Sequence, residues 1–221
     1  MENQGKLYII ATPIGNFGDI TLRALETLKS VDLILCEDTR VTKNLLNHYK
    51  IIKPLKSYHQ HSPLRVVKEI SELLKNGQTL GLVTDAGTPG ISDPGNLLVS
   101  QLVKGGIEIV PMPGVSALTT ALSISGFPTD KFIFMGFPPH KNKRQKYFKE
   151  VAEQNNTVAF YESGHRITKC LQELNHVLPA EKQIVICREL TKMFETIYRG
   201  SIKQILEQKI DERGEFVVII N

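Results

Sequence analysis

Short apolar runs alternate with amphipathic stretches from one end of the chain to the other. The runs at 6–11 (KLYIIA), 32–36 (DLILC), 55–59 (LKSYH), 79–84 (TLGLVT) and 107–112 (IEIVPM) predict five strands. Those at 131–137, 157–162, 183–190, 194–200 and 215–221 predict five more; most are short and rich in Val, Ile, Phe and Tyr. Between them, DITLRALETLKSV sets Ile20, Leu22, Ala24, Leu25 and Leu28 near one helical face, and PLRVVKEISELLKNG does the same before a glycine stop. SALTTALSISG and RITKCLQELNHVL continue the helical series. Strands that alternate with helices need crossover connections, hence a largely parallel sheet. At 183–200 two strand runs share only a short link, which predicts an antiparallel pair. The fold class is therefore α/β with two lobes, about 1–112 and 113–221, the first sheet mostly parallel and the second mixed.

Three loops stand out: 11–19, 84–95 and 111–116. Each combines Gly and Pro with a small hydroxyl residue and leads into a helix start, where backbone N–H groups favour anionic ligand groups. In an open parallel sheet, ligands bind beyond the carboxyl ends of the strands. Asp19-Ile20-Thr21 and Ser92-Asp93-Pro94 also read as ordinary helix caps. No G-x-x-x-x-G-K-[ST] is present, and no G-x-G-x-x-G follows the first strand, so triphosphate and dinucleotide folds are disfavoured. No G-x-S-x-G or metal-binding helix motif occurs, and no metal is expected. His59 and His61 fall on one face of the third strand run, a pair without a third ligand.

Composition narrows the setting. A 221-residue chain that is 41% hydrophobic can bury a sizeable core, but none of its apolar runs is long enough to span a bilayer. No signal peptide is expected, and Cys36, Cys170 and Cys187 read as reduced core residues of a cytoplasmic protein. The net charge is +4, and HKNKRQKYFK at 140–149 holds Lys141, Lys143, Arg144, Lys146 and Lys149 without an acid. Such a cluster can track a phosphate backbone or form a solvated helix face.

The segments ATPIGNFGDITLRALETLKSVDLILCEDTRVTKNLL, VTDAGTPGISDPG, PMPGVSALTTALSISGFP, FMGFPP, AFYESGHR and CRELTKMFETIYRG occur in this order. Together they resemble the ribosomal RNA small subunit methyltransferase I family, of the tetrapyrrole-methylase-like, class III S-adenosyl-L-methionine (SAM)-dependent methyltransferases. The resemblance runs from about residue 7 to residue 219. It implies SAM bent into a cleft between the lobes, a homodimer, and 2′-O-methylation of a cytidine ribose near the decoding centre of small-subunit (16S) ribosomal RNA. It implies cofactor contacts at Pro13, Ile14, Asp85, Gly87, Thr88, Ser116 and Ala117. Others fall at Phe160 or Tyr161, around Glu189 and Leu190 beside Arg188, and at Phe216 and Val217. The RNA partner is expected in an assembled or assembling particle, with no membrane involved. The sequence departs from the family in having Gly164 where a proline is usual. Relatives commonly continue past the last strand, and no share of RNA binding is assigned to such an extension.

Methyl transfer to a ribose hydroxyl needs a proton acceptor within hydrogen-bond reach, worth on the order of 10²–10⁴ in rate. Glu37 and Asp38, at the end of the second strand run, are candidates with His59, His61 and His165. The stretch Glu37-Asp38-Thr39-Arg40 also reads as a helix start with a local ion pair. Arg40, Lys43, His59, Arg166 and the lysine cluster are the expected RNA contacts. Two other readings stay open: a small-molecule methylase acting on a tetrapyrrole, and a non-enzymatic RNA-binding module of ribosome assembly.

Overall fold

The computed structural model describes residues 4–60 and 62–221; His61 lies outside them. The chain divides into two compact units, Met1–Ser116 and Ala117–Asn221.

The first unit is built on five strands: β1 (Lys6–Ile10), β2 (Leu33–Cys36), β3 (Leu55–Ser57), β4 (Leu80–Leu82) and β5 (Glu108–Met112). Their order is β3-β2-β4-β1-β5, and every neighbouring pair is parallel. Four α-helices connect them: α1 (Leu22–Ser30), α2 (Thr39–His48), α3 (Leu64–Lys75) and α4 (Asn96–Lys104). Strand residues one apart face opposite sides, and each side has its own cover. Leu7, Leu35, Leu80 and Leu82 pack against Ile70 and Leu74 of α3 and Leu98 and Leu102 of α4. Ile10, Ile34 and Cys36 pack against Ala24 and Leu28 of α1 and Leu46 of α2. The chain leaves β1 for one face and β4 for the other. The carboxyl ends of these adjacent strands therefore form the switch point, where open parallel sheets take ligands.

The second unit carries β6 (Phe132–Phe134), β7 (Thr157–Ser163), β8 (Gln183–Arg188), β9 (Thr196–Ser201) and β10 (Glu215–Ile220) in the order β6-β7-β10-β8-β9. Only β6 and β7 run parallel, and β8–β9 is the antiparallel pair that the short link predicts. Helices α6 (Arg144–Ala152), α7 (Gly164–Val177) and α8 (Ile202–Glu207) cover one face around Phe148, Phe160, Leu174 and Phe216. Helix α5 (Ala117–Ser125) packs against β7 and β10.

All ten strand runs became strands, most with trimmed ends, while β7 and β9 each run one residue further, to Ser163 and Ser201. One trim matters: β3 stops at Ser57, so His59 lies beyond the strand rather than on its face. The cap expected at Ser92 or Asp93 is also displaced. Ser92 has φ +64°, outside the extended region that a capping residue needs, and Gly95 occupies the N-cap of α4. Thr21 does cap α1, accepting from the Ala24 amide at 3.1 Å.

Candidate functional site

The three unusual loops of the first unit are bound to one another at the switch point. Thr12 and Gly87 exchange two backbone hydrogen bonds, 2.9 and 3.0 Å long, which join the loop after β1 to the loop after β4. Thr12 is buried, and its hydroxyl donates to the Thr84 carbonyl at 3.1 Å. Thr88 donates to the Val115 carbonyl at 3.3 Å, tying in the loop after β5. That loop also packs closely on the end of β1: a Cβ on Gly114 would meet the Ala11 Cβ at 2.9 Å. Pro13, Ile14 and Gly87 are buried in this arrangement, whereas Asp85 is exposed.

Asp85 links the loops to the neighbouring strand. Its Oδ1 accepts the Asp38 amide at 3.0 Å, and its Oδ2 accepts no hydrogen bond from a described residue. An open pocket of about 460 Å³ lies here, lined by Glu37, Asp38, Thr39, Ser57, His59 and Asp85. Three carboxylates thus share one edge of the sheet, and their surroundings separate them. Asp38 caps α2 through the Arg40 amide at 2.8 Å and forms a bidentate pair with the Arg40 guanidinium, its closest contact 2.6 Å. The hydrogen bonds from the Arg40 side chain and backbone hold its carboxyl at about 2. A helix start with a local ion pair therefore accounts for Asp38 and Arg40.

Glu37 has the opposite character. It is half-buried, and burial, then the Asp85 charge, raises its pKa above the ordinary carboxylate value, while His59 opposes the shift. Ser57 donates to the Glu37 carbonyl at 3.3 Å and lies 2.7 Å from the His59 Nε2. The ring tautomer of His59 decides which of the two donates in that short contact.

The second unit sorts its expected site residues onto two faces. Phe160 and Phe216 are buried in the core, with Phe160 edge-on to Tyr147 and Phe148. Tyr161 and Val217 are paired across β7 and β10 on the other face, and Tyr161 meets Phe134 edge-on at 4.9 Å and Phe137 at a tilt at 5.3 Å. Of the alternatives Phe160 and Tyr161, only Tyr161 turns away from the helical core. Leu190 is buried. Glu189, at φ +50°, accepts from the Glu215 amide at 3.0 Å and from Lys192 at 2.8 Å. Ser116 and Ala117 join the last loop of the first unit to α5.

The basic cluster needs one correction. Arg144 is not available to RNA: its side chain is only 4% exposed, and it bonds Glu173 at 2.6 Å and Glu162 at 3.2 Å. Arg166 is drawn into the same network by Glu162 at 2.6 Å, and the two arginines also donate to the Pro139 and Pro138 carbonyls. A fully buried Glu162 takes both cations because neither can be buried unpaired. Lys141, Lys143 and Lys146 remain exposed, as do Lys43, His165 and Arg40. Gly164 also has a local reason: a Cβ there would overlap the Glu212 carbonyl, and its amide donates to the Gly214 carbonyl at 2.8 Å, a bond proline cannot make.

The loop architecture suits a ligand such as SAM on its donor set. The free Asp85 Oδ2 suits an amine or hydroxyl, and the packed apolar and backbone surface of Pro13, Ile14 and Gly87 suits a flat heterocycle. Comparison with known proteins agrees. The model of the Tetrapyrrole (Corrin/Porphyrin) Methylases family matches residues 6–206. The chain is 43% identical over 219 residues to the ribosomal RNA small subunit methyltransferase I of Thermotoga maritima, covering 98% of both chains. It is 47% identical over 221 residues to the protein of the same name from Haemophilus influenzae, covering 98% of this chain and 78% of that one. Among solved structures, a cobalt precorrin-4 methyltransferase shares the fold with a TM-score of 0.69 at 18% identity, covering 97% of this chain and 94% of the other. The uroporphyrin-III C-methyltransferase of Thermus thermophilus matches with a TM-score of 0.68 at 18% identity, covering 98% and 94%. The chain belongs to the tetrapyrrole (corrin/porphyrin) methylase family and, within it, to the SAM-dependent ribosomal RNA small subunit methyltransferase I group.

Proposed function

We propose that this protein methylates the 2′-hydroxyl of a cytidine ribose in small-subunit ribosomal RNA, near the decoding centre, using SAM. The observation that carries this reading is the adjoining position of the stitched loops and a pocket in which burial raises the pKa of Glu37. Bound SAM supplies an electrophilic methyl group on a sulfonium whose charge is lost as the methyl leaves. The chain's own residues do the rest. Pro13, Ile14, Gly87 and Thr88, with Ser116 and Ala117, hold the donor, and Asp85 orients it through Oδ2.

Glu37 would take the proton of the ribose hydroxyl as its oxygen accepts the methyl group that SAM supplies. Its raised pKa suits it to accept a proton that Asp38, held at about 2, would take only weakly. His59 borders the acceptor and offers the alternative base. Asp38 sets the helix that carries Arg40 and Lys43. The protein works in the cytoplasm as a homodimer, on an assembled or assembling small subunit. Among the described residues no helix is long and apolar enough to cross a membrane.

The test is transfer of labelled methyl from SAM to three acceptors in parallel: the small subunit, deproteinised small-subunit RNA, and a porphyrinoid. Label in RNA or subunit that Glu37→Gln abolishes, with SAM affinity retained, is the expected result. Label in the porphyrinoid alone overturns the reading.

A further inference from the structure

The positive charge of the chain is not spread evenly along it. From Thr39 to Lys68 there are seven of its 27 basic residues and none of its 23 acidic ones, and without this segment the chain would be net negative. The segment covers α2, β3 and the start of α3. Only two of its cations are in ion pairs among the described residues: Arg40 with Asp38, and Lys56 with Glu69. Arg40 stays 88% exposed in its pair. Lys43 and Lys50 are exposed and Lys53 is half-buried, none of them neutralised. On α2, Arg40, Lys43 and Asn47 follow at spacings of three and four and so share a face, with Asn44 and His48 in the adjoining row.

Two further observations say what this face suits. The segment begins at the pocket with Thr39 and returns to it with Ser57 and His59. It also carries two of the three rings of an aromatic cluster, His48 and Tyr49. Phe17 and His48 lie 4.4 Å apart at 34°, and Tyr49 is edge-on to both, at 6.2 and 4.8 Å. The Tyr49 hydroxyl donates to the Phe17 carbonyl, which fixes the turn that carries the ring. Phe17 is nevertheless 41% exposed, and His48 is exposed. Unpaired cations beside exposed ring faces are what a single-stranded nucleic acid needs: charges for its phosphates and a platform for a base.

We propose that this face, rather than the 141–149 cluster, is the principal RNA-docking surface. A splayed RNA strand lays its phosphates along Arg40, Lys43, Lys50 and Lys53. One base, a neighbour of the target nucleotide, stacks on Phe17 and His48 while the target ribose enters the pocket. The inference rests on the reading of the protein as an RNA methyltransferase and adds where its substrate is held. The lysines set overall affinity, because phosphate contacts are sequence-independent, and the aromatic pair contributes stacking that salt does not screen.

The experiment measures binding of oligocytidylate and of deproteinised small-subunit RNA as a function of salt, for four proteins. These are the wild type, Lys43→Ala/Lys50→Ala/Lys53→Ala, Lys141→Ala/Lys143→Ala/Lys146→Ala, and Phe17→Leu. SAM calorimetry and sedimentation accompany each. For the first triple variant the slope of log affinity against log salt should flatten by about 2, at roughly 0.7 per phosphate contact on a single strand. The second triple variant should change it by less than half of that. Phe17→Leu should weaken binding about tenfold at every salt concentration with the slope unchanged, as expected for loss of a stacked base. SAM affinity should stay that of the wild type in both triple variants. A wild-type slope in the first variant with a flattened one in the second overturns the inference. So does a first variant whose RNA loss is matched by dissociation of a dimer, which would make the face a contact between copies. If the wild type neither binds nor labels RNA, the functional reading itself fails. If it labels RNA while the first variant keeps its slope, only the inference does.

Discussion

Gly87 allows the stitched loops to be tested with a single added carbon. It sits at φ +76°, a left-handed conformation that costs an ordinary L-residue about 1–2 kcal/mol. Space is not the obstacle: an added Cβ would lie 3.5 Å from the Ile14 Cγ2, an ordinary contact. Gly87→Ala therefore introduces backbone strain almost alone. The chain can keep the turn and bear that strain, or relax it by giving up the two hydrogen bonds to Thr12, each worth about 0.5–1.5 kcal/mol net. The first route costs about 1–2 kcal/mol and the second about 1–3 kcal/mol, so the cheaper one costs about 1–2 kcal/mol, which for a chain of this length lowers Tm by roughly 2–8 °C. Asn tolerates the left-handed region, so Gly87→Asn should lose less. Calorimetric melting and SAM titration of the three proteins should rank stability and SAM affinity in the order Gly, Asn, Ala. An alanine variant with wild-type Tm and SAM affinity, or an asparagine variant as damaged as the alanine one, would refute the reasoning.

In the wild type kcat/KM should rise with pH as Glu37, whose pKa is raised, loses its proton, and Asp38→Asn should leave that limb in place; a wild-type profile flat in pH would contradict the assignment. The same raised pKa means that ionised Glu37 opposes folding. Glu37→Gln should thus raise Tm at neutral pH, with the gain vanishing as acid protonates the wild-type carboxyl, and an unchanged Tm at pH 7 would contradict this. Glu162→Gln removes the carboxylate that Arg144 and Arg166 share, leaving Arg144 only Glu173 and Arg166 no anion, and should cost about 3–5 kcal/mol in urea unfolding, whereas a loss below about 1 kcal/mol would mean that the network is dispensable. Gly164→Pro, the residue usual in the family, should destabilise this chain because it overlaps the Glu212 carbonyl and removes the amide that reaches Gly214; wild-type melting would show that the 211–214 loop simply moves aside.

Local patterns carried the fold a long way. Each strand run is a compact apolar stretch, and its period survives into the structure because burial on one or both sheet faces enforces it. The loops at 11–19 and 84–95 were legible because strained and fixed backbone needs Gly and Pro. What escaped was long-range. Arg144 reads as one more cation of a basic run, and nothing near it reveals Glu162 and Glu173, which lie 18 and 29 residues on and draw it inside. Phe160 and Tyr161 are adjacent in sequence, and the pleat alone sends one into the core and the other to the opposite face. Ser92 looks like a cap by residue type, yet its left-handed backbone rules that out. The acid-free stretch from 39 to 68 was visible as composition, but its cations are spread thinly between apolar residues. A dense lysine run elsewhere is the easier feature to see.

The central claim is that Glu37 and the stitched loops of the first unit direct a methyl group to a ribose oxygen of RNA. The direct measurement is nucleoside mass spectrometry of small-subunit RNA after reaction with SAM bearing a labelled methyl group. The account predicts label in 2′-O-methylcytidine, absent when Glu37 is replaced by Gln. Label on a base carbon or nitrogen, or undiminished ribose labelling by the Glu37→Gln protein, would contradict it.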